Sequence, residues 1–223
     1  SNNKNPFSSQ FRQLLQDGNH ADVNFLVGTN RERVLGHKAI LSARCDKFRA
    51  MFEEGQFAES DTSTEVSITH DSVTFKYLLE YIYTNEVQDL FHRCNLQSVI
   101  NLLIAADEFL LLDLKILTEI AASRKLQEEN LGDLILISKK YQATTLSEKC
   151  HEYLQDNLPN LRKSKAFRDQ FGSNKILALS TFDAYPDEDT PVSASSLFRR
   201  RSSASRGSNG FRSSDSGRHS HGN

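Results

Sequence analysis

An α+β domain, a small sheet flanked by a cluster of helices, is what the order of hydrophobic periods along this chain predicts. Three observations carry the prediction. Apolar and polar residues alternate through Val23, Phe25 and Val27, and again over residues 65 to 69, which is the period of a strand. From Phe75 onward apolar residues recur at spacings of three and four, the period of a helix. Strands thus come early and helices late, an order that suits one sheet covered by helices.

The first element is an amphipathic helix. Phe7, Phe11, Leu14 and Leu15 fall at i, i+4, i+7 and i+8, and Asp17-Gly18 ends the pattern. Such a stripe requires a partner surface. Residues 23 to 27 read as a half-buried strand closed by Gly28-Thr29-Asn30, with residues 33 to 35 paired to it. Ile40 and Leu41, then Phe48, Met51 and Phe52, mark two short helices with a break between Ser42 and Asp46. Residues 65 to 69 supply a third strand. Phe75, Leu78, Leu79 and Ile82 form a helix that Asp71 or Ser72 can cap. Leu96, Val99, Ile100 and Leu103 repeat the pattern after Asn95, and residues 110 to 122 are apolar on nearly all sides, as expected of a helix buried among others. Residues 131 to 141 and 146 to 158 are two further helices. The second opens on Thr145-Leu146-Ser147-Glu148, the spacing of a capping box, with Leu146, Cys150, Tyr153 and Leu154 as its buried stripe.

Composition bounds the function. The 223 residues are 38% hydrophobic and 25% charged, with room for one large domain or two small ones. No apolar run approaches the length of a membrane span and no charged-then-apolar leader opens the chain, so the expectation is a soluble, intracellular protein, cytoplasmic or nuclear. Ser1 opens the chain and Met51 is its only methionine, as in a piece of something longer. Cys45, Cys94 and Cys150 are odd in number and widely spaced, which argues against a disulfide framework and against a zinc site.

Charge divides the chain. Residues 193 to 223 hold six arginines against one acid, together with eleven serines and four glycines, so the last stretch is basic and the preceding body acidic. With few apolar side chains to offset ordering, residues 173 to 223 are expected to be a disordered tail. Within it, R-R-R-S-S at residues 199 to 203 places arginines before Ser202 and Ser203 as basic-directed kinases prefer, and D-S-G-R-H-S at 215 to 220 outlines a phosphodegron through Ser216 and Ser220. A plain solvated tail is the competing reading, and the favoured one for the second motif. Without interleaved aromatics or a folded reader, specific nucleic-acid recognition is not expected.

Catalysis and cofactors find no support. His37 has no second ligand at a useful spacing, and Cys150 and His151, being adjacent, point about 100° apart on a helix and do not readily share an ion. There is no G-x-S-x-G elbow, activated cysteine or phosphate-binding glycine loop. A non-enzymatic protein with no cofactor is the expectation.

The run from residue 20 to 59, H-A-D-V-N-F-L-V followed by G-H-K-A-I-L-S-A-R-C-D-K-F-R-A-M-F-E-E-G-Q-F-A-E, resembles the BTB/POZ domain, an assembly module. The likeness continues through F-K-Y-L-L-E-Y-I-Y at residues 75 to 83 and covers residues 7 to 125. Residues 126 to 172, with N-L-x-x-L-I-x-I-S-K-K-Y and L-S-E-K-C-H-E-Y-L, are similar to the first helices of the BACK region, called the 3-box in ubiquitin-ligase adaptors. The resemblance implies a homodimer built on Phe7, Phe11, Leu14 and Leu15, with Asp22 and Lys38 in a charged pocket at the dimer surface. It also implies that Phe57 and Glu59, in a hydrophobic-x-Glu loop, bind cullin-3, the scaffold of a ubiquitin ligase, while another part of the parent protein captures a substrate. A homotypic scaffold without cullin binding is the alternative. No kelch, MATH, ankyrin or zinc-finger segment names the substrate.

Overall fold

The computed structural model describes residues 6–53, 64–161, 163–165 and 167. Phe57, Glu59, Ser202, Ser203, Ser216 and Ser220 lie outside the described residues. Helix α1, Pro6–Asp17, is followed by strands β1, Val23–Val27, and β2, Glu32–Gly36. Helices α2, Lys38–Arg44, and α3, Asp46–Glu53, lead to β3, Thr64–Ile68. Helices α4, Ser72–Thr84, α5, Leu96–Glu108, and α6, Leu112–Ser123, follow. A 3-10 turn at Glu128–Asn130 then introduces α7, Leu131–Lys140, and α8, Thr144–Leu161.

The three strands lie in the order β2-β1-β3, with β1 antiparallel to β2 and parallel to β3. Phe25 sits opposite Val34 on one side and Val66 on the other. A parallel pair needs a long crossover, and α2 and α3 lie within it. β1 differs from the half-buried strand its alternation predicts. It is the central strand, flanked by neighbours on both edges, so even Asn24 is buried. β3 begins one residue earlier than expected and stops at Ile68.

Phe25, Phe48 and Phe75, all fully buried, form the centre of the core. The Phe25 ring lies 4.9 Å from that of Phe75 and 5.5 Å from that of Phe48. Phe48 in turn touches Phe109 at 5.0 Å, which ties α3 to the end of α5. Burying each ring contributes about 1.5–3 kcal/mol. The approach is close: a Cβ added at Gly36 would lie 2.8 Å from the Phe25 ring, so this strand end has room only for glycine.

Helix ends are satisfied much as their flanking residues imply. Asp71 Oδ1 accepts from the Thr74 backbone N–H at 2.9 Å and Oδ2 from the Thr74 hydroxyl at 2.6 Å. Burial pushes the Asp71 carboxyl up, but the bonds from Thr74 and Asn101 outweigh it and leave it below the usual carboxylate range. Asn95 caps α5 by accepting from Ser98 N–H at 2.8 Å. α4 stops at Asn85, whose φ of 61° asparagine tolerates, and Arg44 closes the end by donating to Ile82 O at 3.1 Å and Asn85 Oδ1 at 2.9 Å.

Two expectations about the later helices need correction. The capping box predicted at Thr145 is replaced. α8 starts at Thr144, and the Leu146 N–H is taken instead by Glu119 Oε2 of α6 at 3.1 Å. Four residues before Glu119, Lys115 donates to Tyr141 O, at the end of α7, and to Asp107 Oδ1, both at 2.6 Å. One face of α6 therefore sets a cation against the C-terminus of α7 and an anion against the N-terminus of α8, the signs that helix dipoles favour. The second correction is to α6 itself. It is not buried on all sides, because Leu112 is 68% exposed and Ile116 47% exposed. The three cysteines are free, buried thiols, and burial pushes Cys150 up to about 12.

Candidate interaction surfaces

The first surface is α1. Its docking residues are polar: Ser8 is buried and donates to Thr84 O at 3.3 Å, and Arg12 Nε lies 3.2 Å from Glu80 Oε1. These two bonds seat α1 on α4 and turn Phe7 outward, 59% exposed, with its ring 4.3 Å from that of Phe11. Phe11, Leu14 and Leu15 are half-buried. Periodicity finds the apolar stripe but misses Ser8 and Arg12, which hold the helix in place. A polar residue at a docking position carries no periodic signal.

Asp22 and Lys38 are brought together at the backbone. Asp22 Oδ1 accepts from the Lys38 N–H at 2.7 Å, filling one of the free donors in the first turn of α2, and Asp22 is itself exposed. Between them sits His37, buried, with Nε2 2.7 Å from Asn19 O and Nδ1 2.8 Å from the Tyr83 hydroxyl. A carbonyl only accepts, so Nε2 carries the proton and Nδ1 accepts from Tyr83. Tyr83 Oη also accepts from the His37 backbone N–H at 2.9 Å. Burial pushes the Tyr83 phenol up to about 12. His37 is thus a structural bridge from the residues after α1 to the end of α4.

The second surface gathers at the turn between α5 and α6. Glu108 receives Lys47 Nζ of α3 at 2.7 Å and His70 Nε2 at 2.8 Å, and the Lys47 bond is the main reason its carboxyl lies below the usual range. Lys47 Nζ also stands 4.5 Å over the Phe109 ring, and Cys45 Sγ donates to Phe109 O at 3.5 Å. The turn itself closes with Leu110 N–H on Asp107 O at 3.1 Å and Leu111 N–H on Ala106 O at 2.9 Å, the paired bonds of a Schellman ending. The residue that must turn left-handed in such an ending is usually glycine. Here it is Leu110, at φ 57° and 69% exposed. A leucine there carries about 1–2 kcal/mol of backbone strain and leaves its side chain in water. Leu112 and Ile116, on the helix that follows, are exposed apolar side chains as well. An unbroken apolar run does not say which members face out, so the sequence does not single these three out.

No group of three metal-binding side chains occurs among the described residues, and none of the described helices is long and apolar enough to cross a membrane. What the described residues present are two surfaces on opposite kinds of footing, one an amphipathic helix and the other a strained turn. The chain is 26% identical over 130 residues to the Inhibitor of Bruton tyrosine kinase of Xenopus laevis, a match covering 58% of this chain and 10% of that protein. It is 31% identical over 166 residues to BTB/POZ and MATH domain-containing protein 3 of Arabidopsis thaliana, covering 70% of this chain and 40% of that protein. The chain thus spans less than half the length of either relative. Among solved structures it is similar to the BTB domain of zebrafish PATZ1, with 23% identity and a TM-score of 0.39, covering 50% of this chain and 83% of that one. The BTB/POZ domain model matches residues 11–126, more than half of the chain, and takes in the sheet, the α1 stripe from Phe11 onward and the strained turn alike, so this chain belongs to the BTB/POZ family.

Proposed function

We propose that this chain is a homodimerising adaptor that brings a substrate protein to a cullin-3 ubiquitin ligase. A BTB/POZ domain is a protein–protein interaction module, and the proposal concerns which proteins this one joins. The observation that carries it is Leu110. A leucine held at positive φ with its side chain in water serves neither the turn nor the core, and such strain is retained where a partner uses it. Leu112 and Ile116 are exposed apolar side chains on the helix that follows it, and the turn is tied to α3 through Lys47 and Glu108, so the cullin would cover apolar side chains that otherwise stay in water. Phe57 fills an apolar pocket on the cullin and Glu59 orients the loop. The helix pair α7 and α8 is held to α6 through Lys115 and Glu119 and would add the 3-box to the cullin contact.

Titration calorimetry against the N-terminal region of cullin-3 tests this. Phe57→Ala is expected to weaken binding by about thirtyfold, the loss of roughly 2 kcal/mol of burial. Leu110→Gly separates binding from folding: it relieves the strained turn, so thermal stability holds or rises, while affinity falls by about tenfold or more. Absence of binding by the unmutated chain at about 50 µM, a very weak affinity by any measure, sinks the adaptor reading and leaves the homotypic scaffold in its place.

A further inference from the structure

β2 has a strand neighbour on one side only. Among the described residues the order β2-β1-β3 leaves its outer edge without a strand, so part of the backbone N–H and C=O groups of Glu32–Gly36 face away from the sheet. Beside that edge runs a groove of about 510 Å³, lined by Glu32, Arg33 and Leu35 of β2, by Arg12 and Leu15 of α1 and by Lys76 of α4. Leu35 is exposed and comes close to the end of α1, where a Cβ added at Gly18 would lie 2.7 Å from Leu35 Cδ1. Glycine there, at φ 63°, lets the strand edge and the helix end stand this near to each other.

The acids of this groove are already engaged. Glu32 receives Lys76 Nζ at 2.6 Å, and Glu80 Oε1 receives both Arg12 Nε and the Gln88 N–H at 3.2 Å. Two of its cations have donors to spare. Arg12 Nη2 is buried with no hydrogen-bond partner, and Glu86 Oε2, at 3.7 Å, is beyond hydrogen-bond reach. Arg33 Nη2 is 3.7 Å from Glu65, with both side chains exposed. The groove therefore offers positive charge, an exposed leucine and an open strand edge together. An extended chain uses all three, pairing its main chain with β2, laying aliphatic side chains on Leu15 and Leu35 and bringing carboxylates to Arg12 and Arg33. We propose that the free edge of β2 and the groove beside it bind an extended acidic segment of a partner protein as a fourth strand, independently of cullin binding. A second copy of β2 fits less well. Paired antiparallel about a two-fold axis centred on Val34 or Arg33, it sets Arg33 against Leu35 or against itself, not against an acid. Nor does net charge draw an acidic peptide here, since the chain has 29 acids to 27 lysines and arginines, so the attraction is local.

The test uses the full chain and two fluorescein-labelled hexapeptides, the acidic V-L-D-E-L-V and the basic V-L-K-K-L-V, read by fluorescence anisotropy. The acidic peptide is expected to bind about tenfold more tightly than the basic one, and Arg33→Glu to remove most of that preference. Two further forms of the acidic peptide, methylated on alternate backbone nitrogens in the two possible phases, separate strand pairing from side-chain contact. Only one edge of a bound strand faces β2, so one form should bind like the parent and the other about tenfold more weakly. Hydrogen exchange should slow at backbone amides of Glu32–Gly36 when the acidic peptide is added, with β3, the opposite edge of the sheet, unchanged. No binding of the acidic peptide at about 1 mM, or equal binding of the acidic and basic peptides, overturns the site. Equal binding of the two methylated forms overturns the fourth strand. Protection at β3 instead of β2 overturns the placement, and protection of β2 that grows with chain concentration in the absence of peptide gives the edge to a second copy and overturns the partner.

Discussion

Asp22 meets Lys38 at a backbone amide, which changes what each side chain should do for stability. Asp22→Ala removes the acceptor from the first turn of α2 and is expected to cost about 1 kcal/mol by urea denaturation, the usual worth of a capping side chain. Lys38→Met keeps the N–H, so in a double-mutant cycle the two losses should add to within about 0.5 kcal/mol. Larger coupling would mean that the ammonium shares the contact. The Tyr83 hydroxyl is more heavily committed, since it serves both the backbone and the ring of His37. Its phenol binds a proton more tightly folded than unfolded, so its contribution is whole below about pH 10 and fades as pH climbs toward the folded value of about 12, amounting to some 2–3 kcal/mol. Tyr83→Phe should cost about 1–3 kcal/mol at neutral pH and flatten the fall in stability above pH 10. At this scale the sequence is a partial guide. H-A-D and G-H-K stand out as blocks, but their meeting depends on β1 and β2 lying antiparallel, which puts Val23 opposite Gly36 and so Asp22 beside the start of α2.

α6 decides where α7 and α8 go. Lys115 and Glu119 are one turn apart and bind opposite ends of the α7–α8 connection, so the helix pair is fixed by charges it does not itself contain. Glu119→Leu should leave the Leu146 N–H without its acceptor at a cost of about 1–3 kcal/mol, while Glu119→Gln, which still accepts, should cost less. Hydrogen exchange over residues 131 to 161 should speed in Glu119→Leu with β1 unchanged; equal acceleration everywhere would mean that the pair is not held locally. Element types were legible because each has its own period: three strands and the helices from Phe75 onward stand where alternation and three-to-four spacing put them. The parallel pairing of β1 with β3 was not, because period two says which face is apolar and nothing about which strand lies alongside. Nor was the start of α8. A local box at Thr145 is a sound reading of four residues, and it loses to a carboxylate 27 positions away.

For the molecule as a whole, the proposed dimer rests on the outward face of α1. Light scattering should give twice the chain mass, with Phe7→Asp and Phe11→Asp together shifting it toward the single chain; a single-chain mass for the unmutated protein at high concentration would remove the dimer. The substitutions should leave the fold intact, because Ser8 and Arg12 do the docking. The three buried thiols carry a different kind of information. Cys45 lies between α2 and α3, Cys94 just before α5, and Cys150 within α8, and none is paired. An alkylating reagent reaches a thiol only when the region around it opens, so pulses of reagent followed by peptide mapping read three local opening rates from the native sequence, with no label introduced. The order in which the three sites react then says whether α8 comes away before the sheet's own helices loosen, or whether the whole body opens at once.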